Sequence, residues 1–180
     1  MPLGGYVQVG STECAGLAFS YFCKFIREVG RDFFGVSASE ESVMKKAAEM
    51  IEIAPAGAGG VAADTRFKGS LSDPNARGGF YNIDMENMTC ANMARAVAEG
   101  IIQELHLAAR RSRYASYSQI AASGAFIRKN PSVWRIIEDR FGVPCSAAEV
   151  SEEAAFGAAL TAAVGTKVMT LDQVVMLFGG

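Results

Sequence analysis

The chain has a single histidine, His106, and its four cysteines, Cys14, Cys23, Cys90 and Cys145, are scattered with no C-x-x-C pair. Structural zinc needs four clustered ligands, so a metal centre of that kind is excluded and no metal ligands are assigned. A basic excess is also missing. With 17 Lys and Arg against 19 Asp and Glu, the formal charge is -2, and a nucleic-acid partner would need the opposite balance. The one basic run, Arg110, Arg111 and Arg113, reads as a solvated helix end, where cations suit the dipole. No long apolar run occurs. The longest, residues 154–164, is alanine-rich and broken by Gly157, well below the ~20 residues of a membrane span. A signal peptide is not evident, so reduced thiols and a cytoplasmic location are expected.

What is present is a globular composition. Half the residues are hydrophobic and a fifth are charged across 180 positions, enough for one domain with a real core. Residues 6–9 read as a strand. A helix follows over about residues 15–29, with Leu17, Ala18, Tyr21, Phe22, Phe25 and Ile26 at helical spacing and Gly30 as its end. Ser39 precedes a second helix through Met44 and Ile51, and Glu40 and Glu41 suit its first turn.

Residues 54–80 are rich in Gly, Ala and Asp, yet carry Arg66, Phe67, Lys68, Arg77 and Phe80. They read as an ordered loop with a strand or two rather than a linker. Gly78 and Gly79 would allow unusual backbone angles at a turn before Phe80. Thr89 caps the longest helix, to about Arg111. Met93, Ala96, Val97, Gly100, Ile101, Glu104, Leu105 and Ala108 share its apolar face. Arg95 and Glu99 fall outside that stripe as a surface pair, and His106 falls opposite it as a surface residue. Residues 119–122 form a strand. Asn130 caps, and Pro131 opens, a helix through Trp134 to Gly142. A short extended piece at Cys145 leads to an Ala-rich helix capped by Ser151, whose small residues would let another backbone approach. One more short helix spans residues 171–178. This alternation is α/β, as a single domain over residues 1–180.

The most informative stretch is "SQIAASGAFIRKNPSVWRII", residues 118–137. A short strand stops at Ser123-Gly124-Ala125 and a helix starts soon after. Strand, small-residue turn and helix is how many α/β proteins bring a nucleotide to backbone. Gly124 lacks the side chain that would block a ring or a phosphate, and the Asn130 amide suits a base edge. The same residues also fit a plain turn and a plain cap. The stretch is neither G-x-G-x-x-G nor a Walker loop.

Four blocks, in order, resemble the second domain of FGGY-family carbohydrate kinases: "VQVGSTECAGLAFSYFCKFI", "FKGSLSDPNARGGFYNID", "NMARAVAEGIIQEL", and "IAASGAFIRKNPSVWRIIEDRFGVPC" with "EEAAFGAALTAAVG". The third carries an Arg-Ala-x-x-Glu-Gly helix in Arg95, Ala96, Glu99 and Gly100. The start of the first and the "SGAFIRKN" spacing resemble the sedoheptulokinase-like branch. The resemblance implies an actin-like, ribonuclease-H-like fold, a mixed sheet flanked by helices. It implies an adenine-nucleotide partner, with ATP held on this side and Mg2+ on its phosphates. An aspartate of the complete enzyme would take the proton of a sugar hydroxyl, perhaps of a ketose, as the γ-phosphate transfers. It assigns the adenine side to Ser123, Gly124 and Ala125, with either Lys129 or Asn130 at the base edge.

Two departures stand out. The family turn has paired glycines where this chain has Ser123-Gly124 and then Ala125, whose methyl narrows the slot. The catalytic aspartate and the phosphate-gripping Gly/Thr turns find no match, and Asp64, Asp73 and Asp84 are not at the matching place. No catalytic residue is therefore assigned. The expectation is an ATP-side domain without its sugar-binding first domain, inactive alone and able to self-associate through exposed apolar surface. The alternative is a non-catalytic actin-like nucleotide-binding or assembly module.

Overall fold

The structure, a computed structural model, describes residues 12–111, 117–128, 130–147 and 152–177. The expected strand at residues 6–9, the Lys129 assignment and the Ser151 cap lie outside the described residues.

Helix α1, Gly16–Phe34, buries Ala18, Phe19, Phe22 and Cys23. It passes through Gly30, the expected stop. Its end comes at Gly35, where φ is +65° and the N–H donates to Arg31 O, while the Val36 N–H reaches Gly30 O. A glycine inside a helix weakens it by about 1 kcal/mol without ending it; the left-handed residue is what ends it. Helix α2, Glu40–Ile53, is capped as expected, the Ser39 hydroxyl accepting from the Ser42 N–H at 3.1 Å.

The 54–80 segment is ordered. A 3-10 turn, Ala58–Gly60, leads into strand β1, Ala62–Asp64, which pairs antiparallel with β2, Gly79–Tyr81. Gly78 and Gly79 do not adopt positive φ. Gly78 is needed for space instead: a Cβ there would lie 2.3 Å from the Phe67 ring and 2.6 Å from Asp64 O.

Helix α3, Cys90–Arg110, is the axle of the fold. Thr89 Oγ1 accepts from the Asn92 N–H, as a cap should. Its N-terminal half is buried nearly all round, with Ala94 and Ala98 sealed as fully as the expected Val97 and Ile101, and Arg95 buried beside them. Arg95 and Glu99 are thus an interior pair and not a surface one, because α2 and the turn after it cover the side left outside the apolar stripe. His106 is also not a free surface group. Its ring packs edge-on against Phe141 at 4.9 Å.

Strand β3, Ile120–Ala122, leads through α4, Ala125–Arg128, to α5, Ser132–Phe141, and then to β4, Cys145–Ala147. β3 and β4 pair in parallel, with Ile120 opposite Cys145, and α5 is the crossover. Val133, Ile136 and Ile137 of α5 join Val97 and Ile102 of α3 and Phe19 of α1 in one core. The class is α/β as expected. Among the described residues the sheet consists of two separate pairs, one antiparallel and one parallel.

Helix α6, Glu153–Gly165, is the Ala-rich one. Close packing by its small residues was the expectation, and the structure shows the reverse: Gly157 and Ala158 are exposed and nothing lies within 4 Å of a Cβ placed on Gly157. Small side chains permit a close neighbour but bury little apolar area themselves, so they do not force one. Helix α7, Leu171–Met176, follows with a Thr170–Gln173 capping box.

Candidate functional site

The turn at residues 123–130 forms one wall of a cleft of about 1200 Å3. The opposite wall is the first turns of α1 and α2. Ser123, Gly124 and Asn130 all line this cleft, so three of the five residues singled out from sequence come together. The Ala125 backbone opens α4 beside them, and its side chain is not described.

Three features fix the geometry. Gly124 has φ +102°, a conformation nearly closed to other residues, and a Cβ on it would meet nothing within 4 Å. The turn therefore presents bare backbone to open space. Gly16 lets α1 start hard against α4, since a Cβ there would sit 3.1 Å from Phe126 Cβ. The Phe19 and Phe126 rings then meet at 5.1 Å, tilted by 54°, and with Met44, Ile102 and Ile127 make the cleft wall apolar.

Asn130 is 5% exposed. Its side chain does not cap α5. Its Nδ2 donates back to Phe126 O at 2.5 Å, and only its backbone carbonyl accepts from the Val133 N–H. Burial beneath α4 decides this, because the last carbonyls of a four-residue helix need donors. The expectation of a donor and an acceptor for a base edge is thus reduced: the donor is committed, and Oδ1 is left buried without a hydrogen-bond partner among the described residues.

The far wall was missed from sequence. Glu40, Glu41 and Lys45 of α2 and Ser20 of α1 border the cleft, about eighty to a hundred residues from Gly124 in the chain. Behind it, burial and then the Glu40 carboxylate push the Cys23 thiol up to about 11, so it is an inert core group. Apolar walls, bare backbone at one edge and polar groups at the rim suit a flat, partly polar ring. Among the described residues no cluster of His, Cys, Asp or Glu could hold a metal ion, and no helix is long and apolar enough to cross a membrane.

Comparisons agree with this architecture. The xylulose kinase from Lactobacillus acidophilus is similar in structure, with a TM-score of 0.71 at 22% identity, over 89% of this chain and 31% of that one. Gluconate kinase from the same organism gives 0.69 at 23% identity, over 89% and 31%. Plasmodium falciparum glycerol kinase with ADP gives 0.62 at 18% identity, over 87% and 30%. The chain thus spans about a third of the length of these enzymes. No curated protein matches it. The model of the FGGY family of carbohydrate kinases, C-terminal domain, matches residues 2–166; the α/β fold is therefore the actin-like, ribonuclease-H-like one of these enzymes, and the chain belongs to that family.

Proposed function

We propose that this chain is the ATP-side part of a carbohydrate kinase, which transfers the γ-phosphate of ATP to a sugar hydroxyl. The cleft between α1, α2 and the 123–130 turn takes the adenosine. The observation that carries this reading is Gly124, a positive-φ glycine with open space where a side chain would be, at the edge of an apolar cleft. An adenine ring between Phe126, Ile127 and Met44 would have its edge against the bare backbone of residues 123–125. Lys129 or Asn130 reads the base edge. ATP supplies the phosphoryl group, and Mg2+ balances its phosphates in the complete enzyme. The sequence blocks favour a ketose such as sedoheptulose as acceptor, and a sugar-binding first domain as the partner that completes the catalytic site.

The test has two arms. Adenosine titrated into the labelled protein should shift the amide resonances of Gly124 and Asn130 in NMR spectra. The chain alone, given ATP, Mg2+ and a panel of ketoses and polyols, should release no ADP above blank. Shifts confined to other parts of the molecule would overturn the cleft assignment, and sugar-dependent turnover would overturn the reading of this chain as one part of the enzyme.

One observation favours the assembly-module alternative: α6 is apolar on every side and its first half is exposed, Ala155, Ala158 and Ala159 included. Concentration-dependent self-association in sedimentation, lost on placing Lys at Ala158, would support it; a strict monomer would count against it.

A further inference from the structure

A second hollow, of about 600 Å3, lies on the other side of the molecule's central helix and shares no lining residue with the nucleotide cleft. Its floor is β1 and the loop after it; its wall is the C-terminal half of α3. It owes its shape to Gly100. A Cβ there would fall 2.3 Å from Ala63 O, so the glycine draws β1 onto α3 and brings residues 64–66 level with Gln103 and Glu104.

The polar groups of this hollow are of mixed sign. Arg66 holds Asp64 with one edge of its guanidinium, Nε donating to Oδ1 at 2.9 Å and to Oδ2 at 3.1 Å and Nη2 donating to Oδ2 as well, and this pairing holds the Asp64 carboxyl below the usual range. Thr65, buried, donates to Glu104 Oε2 at 3.2 Å, the one hydrogen bond Glu104 accepts among the described residues. Gln103 Oε1 is buried with no hydrogen-bond partner among the described residues. Arg111 stands at the end of α3, and Tyr81 and Leu107 supply apolar surface.

This inventory sorts ligands by chemistry. An anion would face Asp64 and Glu104, and a cation would face Arg66 and Arg111. An apolar molecule would leave the amide and carboxylate groups dry, which is costly. A neutral polyhydroxylated molecule suits all of them, because each hydroxyl both donates and accepts, and its C–H face can rest on Tyr81 or Leu107. The volume is that of a small-molecule site. We propose that the hollow between β1 and α3 binds a small neutral polyol of monosaccharide size. The site is independent of the adenosine reading, since it uses none of the same residues.

Ribitol is a suitable probe, titrated into the labelled protein and followed by amide shifts. Saturable shifts at Thr65, Arg66, Gln103 and Glu104 are expected, with dissociation constants of about 1–10 mM, a range ordinary for small unoptimised ligands. Arg111→Ala changes an exposed residue and leaves the core intact; Glu104→Gln keeps the shape and removes the charge. Each should weaken ribitol at least about tenfold, the low end of what one hydrogen bond to a charged group is worth, with far-UV circular dichroism unchanged. Inorganic phosphate should leave these resonances in place. The proposal fails if ribitol shifts grow linearly without saturation, if they fall at Gly124 and Asn130 instead, if both variants bind ribitol as the parent does, or if phosphate moves the same residues more strongly.

Discussion

Arg95 Nε lies 2.7 Å from Glu99 Oε1, one turn apart on α3, and the two side chains are only 10% and 17% exposed. The pair is a junction. Arg95 also donates to Ile51 O at the end of α2, at 3.3 Å, and Glu99 Oε1 accepts the Gly57 N–H at 3.0 Å. It thus satisfies backbone groups in the turn that joins α2 to β1. Removing one partner leaves the other charged and buried, so Glu99→Ala should cost about 3–5 kcal/mol. Arg95→Met with Glu99→Leu should recover part of that loss. Urea denaturation of the three variants would check this; a Glu99→Ala loss below about 1 kcal/mol, the size typical of exposed pairs, would mean that the junction is open to water.

Gly100 and Gly157 offer the same substitution with opposite outcomes. Both are inside helices, where Ala is intrinsically better by about 1 kcal/mol. At Gly100 a methyl would run into backbone, 2.3 Å from Ala63 O, and into Thr65 Cγ2 at 3.0 Å. At Gly157 it would meet nothing within 4 Å. Gly100→Ala should therefore lower stability by about 1–3 kcal/mol, as overpacking does, while Gly157→Ala should raise the helicity of α6 and leave the core untouched. Thermal melts of the two proteins should move in different directions.

The contrast marks what the sequence could and could not reveal. Elements with local causes were legible: the Ser39 and Thr89 caps, the Val97–Ile101 face, and the strand, turn and helix around Gly124. Features decided by partners distant in the chain were not. Arg95 and Glu99 look like a solvated pair because the covering residues, Ile51 and Gly57, are some forty positions away. The α6 helix looked buried because small residues permit close approach, but permission is not contact. Half of the cleft was legible for the same reason. The 123–130 turn is contiguous, whereas its opposing wall of Ser20, Glu40 and Lys45 is assembled only by folding.

Acid should act on α3 in two opposite ways. Burial, then the nearby Arg110 and Arg140, holds His106 below its ordinary 6.5. The unfolded chain thus takes up this proton first, and stability is lost as pH falls below 6.5 toward the folded value. Burial pushes the Glu104 carboxyl above its ordinary 4.5, against the Thr65 hydrogen bond and with Asp64 and Glu13 adding to the rise while Arg66 opposes it. There the folded state takes up the proton first, so stability is regained as pH falls through that higher value toward 4.5. His106→Gln should flatten the melting-temperature profile just below pH 6.5, and Glu104→Gln should flatten it nearer 4.5. Profiles left unchanged by both would mean that neither group differs between the folded and unfolded chain.

The cleft should hold nucleoside more than phosphate. Its walls near Gly124 are apolar or backbone, and Glu40 and Glu41 at its rim outweigh the one cation there, Lys45, so the rim does not attract a polyphosphate. ATP, ADP and adenosine should therefore bind this chain with similar affinity, nearer millimolar than micromolar, roughly -4 kcal/mol, and Mg2+ should add little. Gly124→Ala is a poor probe, because φ +102° strains any side chain whether or not a ligand is present. Ser123 is the better position. It is exposed and borders the cleft, so Ser123→Phe should change stability by no more than about 0.5 kcal/mol while filling the space over the turn. Adenosine shifts should vanish in that variant, and the melting temperature should hold. If ATP binds far more tightly than adenosine, phosphate contacts dominate and the adenine end has been put in the wrong place. If Ser123→Phe binds adenosine normally, the turn is a structural corner and the nucleoside sits elsewhere.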